Sequence, residues 1–137
     1  MPEHPQLLHT VLDTTEPRRL AEFYRQLLGL HYRDGDEPPS DGAADDADWL
    51  VLVDEHDVRK LAFQQVDRLE RTTWPEHDVP MQLHLDLTVS SEEELHRQRA
   101  IAESLGAELL LDRTDDEDEP LFVLADPSGH PFCIFVA

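Results

Sequence analysis

The chain has 137 residues, 31 acidic and 11 basic, for a formal net charge of −20. That length suits one compact domain whose core needs neither disulfides nor structural metal, and the charge excludes the basic patch required by nucleic acid or an anionic membrane surface. No apolar run approaches the roughly 20 residues of a membrane span, and Met1-Pro2-Glu3-His4 lacks the basic and apolar opening of an export signal, so a cytoplasmic protein is expected.

From Gln6 to Asp13, Leu8 and Leu12 alternate with His9, Val11 and Asp13 across the two faces of a predicted strand. Thr14-Thr15-Glu16-Pro17 marks a helix start, with a hydroxyl able to cap free N–H groups and a proline tolerated in the first turn. Leu20, Phe23, Leu27 and Leu28 then recur at helical spacing, with Arg18, Glu22 and Arg25 on the wet side and Gly29 as the stop. A short strand over Leu30–Arg33 follows. Beyond it lie an acidic loop from Asp34 to Asp48 and two strands, Trp49–Val53 and Lys60–Val66. The first module is therefore β-α-β-β-β, about residues 6–66.

Asp67 to Pro80 reads as a linker, and from Met81 the pattern repeats. Leu83, Leu85, Leu87 and Val89 alternate with Gln82, His84, Asp86 and Thr88 in a two-faced strand. Ser90-Ser91-Glu92-Glu93-Glu94 caps and charges a helix whose apolar positions Leu95, Ile101, Ala102 and Leu105 lead to Gly106. Strands near Ala107–Leu111, Leu121–Ala125 and Phe132–Val136 complete a second module, about residues 81–137, with a second acidic loop at Asp112–Glu119. Setting His9 against His84 also sets Leu20 against Leu95, and a small length change brings Leu28-Gly29 onto Leu105-Gly106. The acidic loops read as solvated segments; the alternative is that they draw a cationic ligand.

Leu8-His9-Thr10-Val11 with Phe23-Tyr24 and Leu28-Gly29-Leu30, then His84-Leu85-Asp86-Leu87 with Leu105-Gly106-Ala107, and finally Asp126-Pro127-Ser128-Gly129-His130-Pro131-Phe132 form an ordered set over nearly the whole chain. That set resembles the vicinal oxygen chelate superfamily, the glyoxalase, bleomycin-resistance and dioxygenase-like proteins. The resemblance implies an α+β fold over residues 1–137 as a single glyoxalase-like domain. Its two tandem β-α-β-β-β modules would form a curled, mostly antiparallel mixed sheet around a concave site. It also implies a homodimer with a small-molecule ligand.

In metal-dependent members the resemblance implies four ligand positions, which fall here at His9, Gln64, His84 and Cys133. Two of these are good ligands for a divalent ion such as Zn, Ni, Mn or Fe. Gln64 offers only a weak carbonyl oxygen and cannot act as a base where the family's lyases carry a carboxylate. Cys133 suits a softer ion as thiolate, and Asp86 or Asp13 would substitute for a missing carboxylate if geometry allowed. The plainer readings are hydrogen-bonded pocket histidines at 9 and 84, a cavity-facing Gln64 and a small buried hydrophobe at Cys133. Trp74, in the linker, is either a core or dimer-contact residue or one that closes over a ligand.

No Gly-x-Ser-x-Gly, Walker, Gly-x-Gly-x-x-Gly or Cys-x-x-Cys pattern is present, which disfavours phosphate-handling and nicotinamide enzymes. Two functions stay open. One is a metal-free binding protein sequestering a drug or metabolite, with His9, Gln64, His84, Asp86, Cys133 and Trp74 as ligand-binding residues. The other is a divalent-metal-dependent lyase, isomerase or ring-cleaving dioxygenase acting on a small oxygen-bearing substrate.

Overall fold

Each module turns one amphipathic helix onto one face of a four-stranded sheet. In the computed structural model, which describes residues 4–137, the first module runs β1 (Thr10–Thr14), α1 (Pro17–Leu28), β2 (His31–Tyr32), β3 (Trp49–Val53) and β4 (Arg59–Gln65). The second runs β5 (Leu85–Val89), α2 (Glu92–Ser104), β6 (Glu108–Arg113), β7 (Leu121–Ala125) and β8 (Pro131–Val136). Met1-Pro2-Glu3, part of the opening considered above, lies outside the described residues. The fold is α+β with duplicated β-α-β-β-β topology, as the sequence led us to expect. Its hydrogen bonding divides into two sheets, ordered β1-β4-β3-β2 and β5-β8-β7-β6. In each, the first and last strands of the module pair in parallel and every other pair is antiparallel. The chain forms two compact units, Met1–Arg68 and Leu69–Ala137, so Leu69–Pro80 of the expected linker packs with the second module.

In unit 1, Leu20, Ala21, Phe23 and Tyr24 of α1 are buried, together with Leu12, Leu50, Leu52, Leu61 and Phe63 of the sheet. The Tyr24 ring stacks on Phe63 with centroids 6.1 Å apart. Pro17 occupies the first turn of α1, and Gly29 ends the helix at φ 67°, the left-handed conformation that glycine adopts without a Cβ penalty. The expected hydroxyl cap is displaced. Glu16 is the N-cap and its side chain caps nothing, while Thr14 Oγ1 accepts from Glu16 N at 3.0 Å, one residue short of the helix.

In unit 2, Leu95 and Ala102 of α2 are buried along with Phe122, Leu124, Phe132 and Ile134. Here the capping chemistry works as expected: Ser91 accepts from Glu94 N at 3.1 Å, and Glu92, Glu93 and Glu94 sit at the positive end of the helix dipole.

Both leading strands are shorter than their alternation suggests. β1 begins at Thr10, opposite Leu61, and β5 begins at Leu85, opposite Phe132. Pro131 opens β8 without an N–H to donate, so the ladder has nothing to continue with toward Met81. His9 and His84 therefore each stand one residue before a strand. Among the described residues no helix is long and apolar enough to cross a membrane.

Candidate functional site

Each sheet has a second face, turned away from its helix, and these two faces carry the chemistry. In unit 1 the ladder lays out this face in rows. Arg33 N donates to Val51 O at 2.9 Å, Val51 is in register with Ala62, and Ala62 with Val11. The row on one side holds Trp49, Gln64 and Asp13, and the row on the other holds His31, Val53 and Arg59. A register shift at Leu52/Val53 sets Arg59 opposite Val53, with Lys60 as the extra residue of a bulge. Val51, Val53 and Ala62 form a buried apolar cluster on this face, with Val11 and Trp49 packed against it. His9 borders that cluster, its ring centroid 6.1 Å from that of Trp49. The buried Nδ1 of His9 has no hydrogen-bond partner among the described residues. Burial, followed by the positive charges of Arg59 and Arg33, holds the His9 pKa below its usual value, so the imidazole stays neutral at pH 7.

In unit 2 the matching face carries side chains that can coordinate a cation. Asp86 is in register with Cys133, and Cys133 with Val123. His84, Asp86 and Cys133 each offer one donor atom, all within 4.8 Å of one another, and His84 Nε2 lies 3.2 Å from Asp86 Oδ1. Burial, and then the Asp86 carboxylate, push the Cys133 thiol up to about 11. Cys133 is therefore a protonated thiol at neutral pH, which disfavours a role as a free nucleophile. Trp74, Met81, His84, Val123, Pro131 and Cys133 line a cavity of about 40 Å³, room for a water or an ion and far below a drug-sized pocket.

A larger open depression of about 430 Å³ at the start of α1 is lined by Thr15, Arg18, Arg19, Glu22 and Asp45 among others. Its central cation is already occupied. Arg18 donates to Asp45 Oδ2 at 2.7 Å and to Asp36 O at 2.6 Å, and its guanidinium lies 4.9 Å from the Tyr32 ring centroid.

The predicted site residues thus fall into two groups. His84, Asp86, Cys133 and Trp74 gather in unit 2. His9 and Gln64 lie on the sheet of unit 1, but Gln64 is exposed and sits opposite Asp13. With His9 set against His84, Val11 falls against Asp86, so the unit 1 counterpart of Cys133 is Ala62 and not Gln64. The donor set of unit 2 fits a divalent cation, because imidazole, carboxylate and thiolate together supply soft and charged ligands. The set in unit 1 does not: one imidazole stands beside an alanine and a solvent-facing amide. Sequence reasoning missed Arg59 and Ala62, since neither a bulge nor cross-strand register gives a signal in hydropathy.

Residues 9–135 match the Glyoxalase-like domain family. Among solved structures, the chain is similar to a glyoxalase/bleomycin resistance protein/dioxygenase family enzyme from Burkholderia phytofirmans PsJN, at TM-score 0.67 and 17% identity over 94% of this chain and 96% of that one. It is similar to the fosfomycin resistance protein FosX from Listeria monocytogenes at TM-score 0.67 and 13% identity, covering 98% and 94%. Protein ATC0852 from Agrobacterium tumefaciens gives TM-score 0.67 at 18% identity, covering 97% and 98%. At such identities the likeness speaks for the fold alone. No curated protein matches the chain.

Proposed function

The chain belongs to the glyoxalase-like domain family, and from that premise we propose that it is a small-molecule-binding protein that holds its ligand on the helix-free sheet faces without a resident metal. One observation carries this reading: the unit 1 position matching Cys133 of unit 2 is Ala62, which sits in a buried apolar cluster with Val51 and Val53. Among the described residues of unit 1, the position that matches Cys133 thus offers no ligand atom. In unit 1 His9 is then a ligand contact and Gln64 a solvent-facing neighbour, and in unit 2 Trp74 and the residues lining its own cavity are the contacts. The single-domain organisation, homodimer and cytoplasmic location expected from the sequence belong to the same proposal.

A second reading is favoured by the cluster of His84, Asp86 and Cys133. In it these three residues hold a divalent ion, and the protein is a metal-dependent lyase, isomerase or dioxygenase. Such an ion supplies Lewis acidity to a carbonyl or to adjacent oxygens of a substrate. Asp86 brings the carboxylate that the expected ligand set lacked, and Cys133 surrenders its proton to bind.

Metal analysis of tag-free protein by mass spectrometry, before and after incubation with zinc, nickel, manganese and iron(II), separates the two. The first reading expects no stoichiometric metal in any condition. Near-stoichiometric metal that disappears in His84→Ala and Cys133→Ser, and persists in Gln64→Ala, would replace it with the second.

A further inference from the structure

The cavity in unit 2 is walled mainly by carbon and sulfur. Trp74, Met81, Val123 and Pro131 line it with apolar groups, and its polar walls are His84 and Cys133. Both are engaged elsewhere: His84 Nε2 lies 3.2 Å from Asp86 Oδ1, and the Cys133 thiol hydrogen-bonds to the same carboxylate. A water in this space would lack the roughly three hydrogen bonds that hold a buried water in place. The volume of about 40 Å³ suits a methyl group, which is close in size to a water with its share of about 30 Å³ in the liquid.

The charge beside the cavity has one sign. The Asp86 carboxylate lies within 4.8 Å of Cys133 Sγ, and the thiol also feels, more weakly, the negative charge of Glu119. No lysine or arginine lines the cavity. Trp74 contributes the ring that attracts cations best, and among the described residues no other ring packs on that indole. The polar side stands open to solvent, with the side chains of His84 and Asp86 40% and 55% exposed.

We propose that this cavity binds a methylated ammonium group, with an N-methyl against Trp74, Met81 and Val123 and the positive charge on the open side, within reach of the indole and the Asp86 carboxylate. This names the ligand class of the unit 2 contacts and rests on the small-molecule-binding reading.

The walls select the chemistry. A primary ammonium brings three N–H donors, which carbon and engaged polar groups leave unsatisfied. Methyl groups have no such need, and they carry part of the positive charge into contact with the indole. A neutral group of the same shape gains the apolar contact without the attraction. An anion meets like charge at Asp86 and Glu119. The net charge of −20 raises the concentration of any cation near the surface. Because the cavity holds so little, the site recognises an end group, and the rest of the ligand stays outside it.

The test uses the full chain, metal-free and labelled with ¹⁵N, and three probes: choline, neohexanol, in which carbon replaces the nitrogen, and ethanolamine, which lacks the methyl groups. Choline is expected to shift the Trp74 indole N–H and the amides of Val123 and Cys133, and to bind at least about threefold more tightly than the other two. Asp86→Asn and Trp74→Leu are each expected to weaken choline about two- to fivefold and to narrow its lead over neohexanol. Amides of α2 and β6 at their wild-type positions certify that either variant is folded. Neohexanol or ethanolamine binding here as tightly as choline, or choline binding indifferent to either variant, would overturn the proposal and leave the binding reading standing. No shift at the cavity by any probe overturns it as well. The binding reading is then decided separately, by the metal analysis above.

Discussion

The two units share one topology and bury their helices in the same way, yet their helix-free faces have diverged. Unit 1 carries valines, an alanine and an arginine that pairs with no carboxylate among the described residues; unit 2 presents an imidazole, a carboxylate and a thiol within coordination reach of one another. The lesson is that a duplicated fold carries chemistry position by position. The strand pair β1/β4 places Val11 beside Ala62 where β5/β8 places Asp86 beside Cys133, and that exchange turns a coordinating pair into a floor.

The comparison is tested most severely in the cores. Phe63→Ala in unit 1 and Phe122→Ala in unit 2 each remove a fully buried ring, and each is expected to lower unfolding free energy by about 3–5 kcal/mol. If the chain is one cooperative domain, both variants shift the same single transition in urea. Two separated transitions would show that the units melt independently.

Next in size is the contrast in coordination. In zinc titrations, His84→Ala or Cys133→Ser is expected to weaken any binding by more than the roughly 10–100-fold that loss of an outer-shell partner costs, whereas Gln64→Ala leaves it unchanged. Weakening by Gln64→Ala would mean that the exposed amide contributes after all.

Two glycines sharpen the difference in packing. A Cβ on Gly129, at φ 96°, would stand 2.7 Å from Arg71 Cγ, while one on Gly29, at φ 67°, would meet nothing within 4 Å. Gly29→Ala thus carries only the left-handed backbone penalty, about 1–2 kcal/mol, and Gly129→Ala adds a displaced side chain to it. The midpoints of denaturant unfolding should fall in that order.

Acid separates the units more gently. His9 of unit 1 has a folded pKa below its unfolded value of about 6.5, so below that pH the unfolded state takes up the proton first. The carboxyls of Glu22, held low mainly by Arg25, and of Asp45, held low mainly by Arg18, behave alike at lower pH: their contribution is present above the unfolded carboxylate range and is lost as pH falls through the folded values. Stability measured against pH should decline from near 6.5 downward, and His9→Asn should flatten the upper part alone. The smallest effect is in capping: Ser91→Ala is expected to cost about 1 kcal/mol, and Glu16→Ala, with no cap bond to lose, close to nothing.

Much of this architecture was legible. Trp49–Val53 and Leu121–Ala125 are strands at the bounds their apolar runs suggest, because acidic residues, or an acidic stretch closed by a proline, bracket them. Alternation also put His84 and Asp86 on one face. What alternation could not show was cross-strand register, which depends on partners remote in sequence: Cys133 meets Asp86 only through the parallel pairing of β8 with β5. The same limit hid Arg59. Hydropathy over Lys60–Val66 carries no trace of the extra residue that sets Arg59 against Val53.

The contact between Arg71 and the turn at Gly129 also decides where a protease can enter. Leu69–Pro80 contains no helix or strand, yet Arg71 Nη1 donates to Pro127 O at 3.3 Å and its Nη2 lies 3.6 Å from Glu108. Arg68 has no such anchor among the described residues and is exposed. Trypsin should therefore nick the chain after Arg68 well before it cuts after Arg71, and Gly129→Ala, by dislodging the Arg71 stem, should bring the two rates together. Two arginines separated by a short irregular stretch thus serve as a built-in gauge of how firmly the last turn of the fold is held.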